Sequence, residues 1–104
     1  MAQYLKTKAD FDEAMKEEKL VVIDFTASWC PPCQMIAPMY EEHAKKVEEY
    51  AVLYKVDVDE NGETAQACGI EAMPTFQFYK GGSKVHQIRG ADFEGVKAKI
   101  EELK

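Results

Sequence analysis

No apolar run in the sequence approaches the ~18–20 residues that a membrane-crossing helix needs, so a bilayer-spanning protein is not expected. Basic charge is also scarce: 13 Lys and Arg stand against 19 Asp and Glu, for a formal net charge of −6. That balance argues against nucleic acid as the main partner, because phosphate binding needs clustered cations. There are only 2 histidines and 3 cysteines. An odd, small cysteine count excludes a disulfide scaffold. It also leaves no second Cys-x-x-Cys pair with which to complete a tetrahedral zinc site. His43 lies well beyond Cys33, His86 is farther off and Cys68 stands alone, so no metal is expected. Repeats, low-complexity tracts and linkers are missing, and 104 residues suit one domain, 1–104. The start, Met1 to Lys8, shows neither a long apolar segment nor a basic leader. On that start the expected location is the cytoplasm, with the nucleus open as well, although the mature form of an imported protein would read the same.

What the chain does have is a regular alternation of apolar patterns. Leu20-Val21-Val22-Ile23-Asp24-Phe25 and Ala51-Val52-Leu53-Tyr54-Lys55-Val56 are short, nearly continuous apolar runs, the pattern of strands buried on both faces. Between them, Ile36, Met39, Tyr40, Ala44 and Val47 fall on one face of a helix spanning Gln34–Tyr50. Strand, helix, strand at this spacing predicts a βαβ unit with a parallel pair. Upstream, Gln3-Tyr4-Leu5 predicts a short strand. Thr7, with Asp10 three residues on, predicts a capped helix buried through Phe11, Ala14 and Met15. Downstream, Glu63–Cys68 predicts a short helix stopped by Gly69. The runs Thr75–Tyr79 and Lys84–Ile88 flank Gly81-Gly82 as a hairpin, and Phe93, Val96, Ile100 and Leu103 mark a last amphipathic helix after Asp92. The fold class is α/β, in the order β-α-β-α-β-α-β-β-α.

The chemistry concentrates in Trp29-Cys30-Pro31-Pro32-Cys33. At the N-terminus of a helix, free amides and the helix dipole stabilise a thiolate on the first cysteine. The second sits one turn further in, so one sulfur can attack a disulfide and the other can resolve the mixed disulfide. A Cys-x-x-Cys beside a βαβ pattern is a recognised redox signature. A purely structural bridge is disfavoured, since closing so short a loop constrains the chain little. Several neighbours read two ways on residues alone. Asp24 interrupts an apolar run, either at an exposed edge or as a buried carboxylate. Lys55 is either its partner across the strand pair or a snorkelling surface lysine. Pro74 opens a strand, ordinarily as a trans proline. Pro38 removes one bond inside the second helix and predicts a kink. Asp57-x-Asp59-x-Asn61-Gly62 mimics half of a calcium loop, but a strand precedes it and Cys68 stands at the twelfth position, so an acidic turn capping a helix is expected. Cys68 reads as a buried or half-buried thiol, with a regulatory role as the minority reading.

Over essentially its full length the sequence resembles the thioredoxin family, of the small eukaryotic cytosolic type. The resemblance rests on Val22-Ile23-Asp24-Phe25, Ala27-Ser28-Trp29-Cys30, Pro32-Cys33, Met35-Ile36-Ala37-Pro38, Val56-Asp57-Val58-Asp59, Met73-Pro74-Thr75-Phe76 and Gly90-Ala91, in that order. It departs at Pro31, where the family usually has glycine. The resemblance implies a mixed five-stranded sheet flanked by four helices and a protein-disulfide reductase without a prosthetic group. It implies Cys30 as nucleophile, Cys33 as resolving thiol and Asp24 as a buried acid–base group. It also implies a cis Pro74 and a substrate groove of Trp29, Pro31, Pro32, Met73, Pro74, Gly90 and Ala91. The implied donor is an NADPH-linked thioredoxin reductase. The implied acceptors are disulfide proteins such as peroxiredoxin, ribonucleotide reductase and methionine sulfoxide reductase, and the acting unit is a monomer. Two alternatives remain at this point: a redox-dependent binding module, and a reductase fed by glutathione or another small thiol.

Overall fold

A computed structural model describes residues 2–104. Among the described residues, strands β1 (Gln3–Tyr4), β2 (Leu20–Thr26), β3 (Ala51–Asp57), β4 (Thr75–Lys80) and β5 (Ser83–Arg89) combine with helices α1 (Lys8–Ala14), α2 (Pro31–Lys46), α3 (Gly62–Ala67) and α4 (Phe93–Leu103) in the expected order. The strands form one sheet, β1-β3-β2-β4-β5. β1 and β2 run parallel to β3, β4 runs antiparallel to β2, and β5 returns antiparallel to β4.

The central position of β2 explains its composition. Leu20 and Val22 pack with Ile36, Tyr40, Phe76, Phe78, Val96 and Ile100 on the side covered by α2 and α4. Val21, Ile23 and Phe25 pack with Phe11, Ala14 and Tyr79 on the other side. A strand with a core on each face can afford no polar alternation, so every residue of β2 is buried.

The local signals act as the sequence suggests. Thr7 caps α1 by accepting from the Asp10 amide at 3.0 Å, while Asp10 accepts from the Thr7 amide. Gly81 and Gly82 both take positive φ, 60° and 81°, as a two-residue hairpin turn requires. Asp92 caps α4 through the Gly95 amide.

Three expectations need correction. Helix α2 runs Pro31–Lys46 instead of Gln34–Tyr50. Both prolines fit in its first turn, where their missing N–H groups cost no helical bond, and Val47 ends the helix. Met39 points out of the core, 45% exposed, and Cys33 takes its place on the buried face. Strand β3 is not buried on both faces: Val52 and Tyr54 are half-exposed, because the 7-residue α1 and the 6-residue α3 leave that side incompletely covered. The helix continues through Pro38. Among the described residues, no helix is long and apolar enough to cross a membrane.

Candidate functional site

The site lies where β2 hands the chain to α2. Cys30 is the N-cap of α2, in extended conformation, and its Sγ accepts the Cys33 amide at 3.3 Å. A cap side chain normally takes the second or third helical amide. Here the second belongs to Pro32 and does not exist, so the Cys33 N–H is the donor. The two cysteines are joined as a disulfide, with Cα atoms 5.3 Å apart. Cys33 lies one turn inside and is 1% exposed, whereas Cys30 is 4% exposed and sits among exposed Trp29, Pro31 and Pro32.

Four loops converge on this pair. Met73–Pro74 is a cis peptide bond, and the Met73 carbonyl oxygen lies 3.8 Å from the Cys30 Sγ. Met73 and Val58 pack against the cluster of Ala27, Cys30 and Cys33. Gly90 donates its amide to the Pro74 carbonyl at 2.8 Å, which ties the end of β5 to the cis proline. Gly90 does so at φ 93°, a conformation that favours glycine. Ala91 follows it and is exposed. Trp29 is 61% exposed, and its indole N–H donates to Asp59 Oδ2 at 2.7 Å. The structure thus brings Trp29, Cys30, Pro31, Pro32, Cys33, Met73, Pro74 and Gly90 to one end of the sheet. Pro74 overturns the ordinary trans expectation in the direction the family resemblance implies.

Asp24 is 1% exposed, which settles its alternative readings in favour of burial. It shares the α2-covered face of β2 with Leu20 and Val22, and its Oδ1 has no hydrogen-bond partner. Burial pushes its carboxyl up to about 7; the Lys55 charge pulls back and Glu41 pushes further up. Lys55 stands opposite Asp24 in the β2–β3 register. Its ammonium, however, pairs with Glu41 Oε2 at 3.2 Å and lies 4.9 Å from the centre of the Tyr4 ring. The expected partnership is therefore one of proximity along the strands, with the ion pair made elsewhere.

Glu41, Tyr40 and Asp59 carry no signal of a site role in the sequence: Tyr40 reads as core and Asp59 as part of an acidic turn. Glu41 looks like any charged residue of an amphipathic helix, although it follows buried Tyr40 directly. The Tyr40 hydroxyl donates to the carbonyls of Val22 (3.2 Å) and Tyr54 (2.8 Å), bolting α2 across β2 and β3. Asp59 belongs to the turn read as a helix cap. There Asp57 accepts from the Asp59 and Glu60 amides and Asn61 caps α3. Cys68 is half-buried at the end of α3; its thiol is held above its ordinary pKa by burial, against the Tyr79 hydroxyl that hydrogen-bonds to it. Among the described residues, no group of three or more His, Cys, Asp and Glu is arranged to hold a metal ion.

Comparison with known proteins agrees with this geometry. The thioredoxin family model matches residues 3–102. The chain is 57% identical to the thioredoxin of Geodia cydonium, covering 100% of both chains. Its fold superposes on the structure of Plasmodium falciparum thioredoxin with a TM-score of 0.93 at 41% identity, covering 99% of this chain and 100% of that one. A structure from work on thiol resolution in the yeast mitochondrial 1-Cys peroxiredoxin, through glutathione and thioredoxin systems, superposes with a TM-score of 0.91 at 31% identity. It covers 98% of this chain and 95% of that one.

Proposed function

From the premise that the chain belongs to the thioredoxin family and is a thiol–disulfide oxidoreductase, we propose how its residues divide the work. Cys30 is the nucleophile. Its thiolate attacks a target disulfide, one target sulfur leaves, and a Cys30–target mixed disulfide forms. Cys33 gives its proton to the Asp24 carboxylate and attacks the Cys30 sulfur. The Cys30–Cys33 disulfide closes, and the second target sulfur leaves and takes up a proton. The target gains two electrons and the dithiol loses them. The observation that carries this assignment is the position of Cys30 as the N-cap of α2, with the Cys33 amide on its sulfur. Trp29, Pro31, Pro32, Met73, Pro74, Gly90 and Ala91 form the wall against which an extended target segment lies, the Met73 backbone pairing with it.

Electrons arrive from an NADPH-linked thioredoxin reductase and leave to disulfide proteins, peroxiredoxins among them, a choice supported by the peroxiredoxin context of the yeast structural relative. Ribonucleotide reductase and methionine sulfoxide reductase are further acceptors of the same chemistry. The chain acts as a monomer in a reducing compartment, the cytoplasm. Reduction of insulin with thioredoxin reductase and NADPH tests the donor. Capture by single-cysteine variants tests the roles: Cys33→Ser traps mixed disulfides and Cys30→Ser traps none. The reverse pattern would exchange the two cysteines.

A further inference from the structure

The buried carboxylate and its neighbouring lysine are held by a third charged group. Glu41 stands on α2, half-buried, with its two oxygens used in different directions. Oε2 accepts the Lys55 ammonium at 3.2 Å, and Oε1 accepts the Ala2 amide at 2.7 Å. Lys55 is 7% exposed, so its charge has little water to share and its position is set by the groups that bind it. Those groups are Glu41 and the Tyr4 ring. Asp24 lies beside Lys55 in the register, and it has no ion pair of its own.

We propose that Glu41 is a positioning residue for disulfide exchange: by drawing the Lys55 ammonium to itself, it leaves Asp24 a buried carboxylate without an ion pair, basic enough to take the Cys33 proton. The inference rests on the reading of Asp24 as the proton acceptor for Cys33. Two effects of Glu41 have the same sign. Its negative charge raises the energy of a second carboxylate nearby, and it neutralises the cation that would otherwise favour Asp24 in its ionised form. The remaining groups facing Asp24 do not replace it. From α2 comes the Tyr40 hydroxyl, already donating to two carbonyls, and from β4 comes Phe76, directly opposite in register and apolar. From β1, the Tyr4 ring lies over the lysine.

The test is a carboxyl-detected NMR titration of Asp24 in the whole oxidised chain, paired with the pH profile of insulin reduction. In Glu41→Gln the Asp24 midpoint falls by about half a pH unit or more, and the acidic limb of the activity profile moves down with it. Glu41→Ala shifts the midpoint the same way and keeps the test available if the glutamine variant folds poorly. Glu42→Gln removes the adjacent, solvent-exposed carboxylate that pairs with Lys46, and leaves the midpoint in place. An unmoved or raised midpoint in the Glu41 variants, with only the melting temperature changed, would make Glu41 a mere anchor for Ala2 and overturn the proposal. A midpoint that falls while Asp24→Asn keeps full turnover would instead overturn the role of Asp24, and with it the part of Glu41 in the reaction.

Discussion

Asp24 carries a carboxyl into the side of the sheet that α2 covers, at a register position flanked by Phe76 on β4 and Lys55 on β3. Burial is the largest cause of its rise to about 7 from an ordinary 3.8. Such a group binds its proton more tightly in the folded chain than in the unfolded one. Its contribution to stability is therefore complete below about pH 4 and is lost as pH rises through about 7. The same gap between folded and unfolded pKa sets a ceiling of about 4 kcal/mol on that loss. Asp24→Asn removes the charge that burial opposes, so the variant should be more stable than the parent at pH 8, by about 1–4 kcal/mol. The advantage should vanish near pH 3.5, where both side chains are neutral. Its disulfide reduction should be slowed near and above pH 7, where the parent's carboxylate is free to accept the Cys33 proton. Urea titrations at both pH values check the first claim, and equal stability throughout would place the carboxyl in contact with water. Asp59 poses a second residue-scale question, because it anchors an exposed tryptophan. Asp59→Ala should leave stability within about 0.5 kcal/mol, as surface substitutions usually do. It should also free the Trp29 ring and raise KM for a protein disulfide more than it lowers kcat.

At the scale of elements, the first turn of α2 decides which amides serve the sulfur of Cys30. Position 31 supplies the first helical residue and position 32 the second, and the cap side chain reaches only the second and third amides. Pro31→Gly adds an N–H outside that reach, so fold and activity should persist and the reduction potential should change little. Pro32→Ala adds one within reach. It should stabilise the Cys30 thiolate, hence the reduced form, and make the protein more oxidising by tens of millivolts, where ~30 mV is ~1.4 kcal/mol for two electrons. Equilibration of both variants with glutathione measures the difference, and a larger shift for Pro31→Gly would reverse the assignment of donors. These same prolines mark how far the elements were legible from sequence. The cap Thr7, the turn Gly81-Gly82 and the apolar run of β2 each carry their cause within a few residues, and each appears where expected. The apolar spacing starts α2 at Gln34, three residues late, because two prolines resemble a loop although both suit a helix's first turn. The spacing puts Met39 on the buried face, whereas it is exposed, because hydrophobicity does not say which side of a helix the sheet occupies. The Lys55–Glu41 pair was hidden for a related reason: register brings Lys55 to Asp24, but only the path of α2 over the sheet brings Glu41 to Lys55.

On the scale of the whole molecule, the sheet separates two apolar layers that share β2 but few side chains. Ile100 of α4 is fully buried in the layer under α2, and Ile23 of β2 is fully buried in the layer under α1. Ile→Val removes one methylene from each without adding a polar atom, at a cost of about 0.5–1.5 kcal/mol apiece. The two side chains lie on opposite faces and belong to different clusters. The double variant should therefore lose the sum of the single losses to within ~0.3–0.5 kcal/mol. Additivity of energies does not imply independence of unfolding. All the strands are joined through β2 and β3, and the Tyr40 hydroxyl binds carbonyls of both. One layer cannot open without exposing the shared strands of the other, so a single transition is expected. Trp29 makes this measurable, because it is the chain's one tryptophan and sits at the site end of the sheet. Its fluorescence and the far-UV circular dichroism should give the same urea midpoint in the parent and in all three variants. A fluorescence midpoint that precedes the dichroism would show the redox end opening on its own, and a coupling energy above about 1 kcal/mol between Ile23 and Ile100 would show that β2 transmits packing strain from one layer to the other.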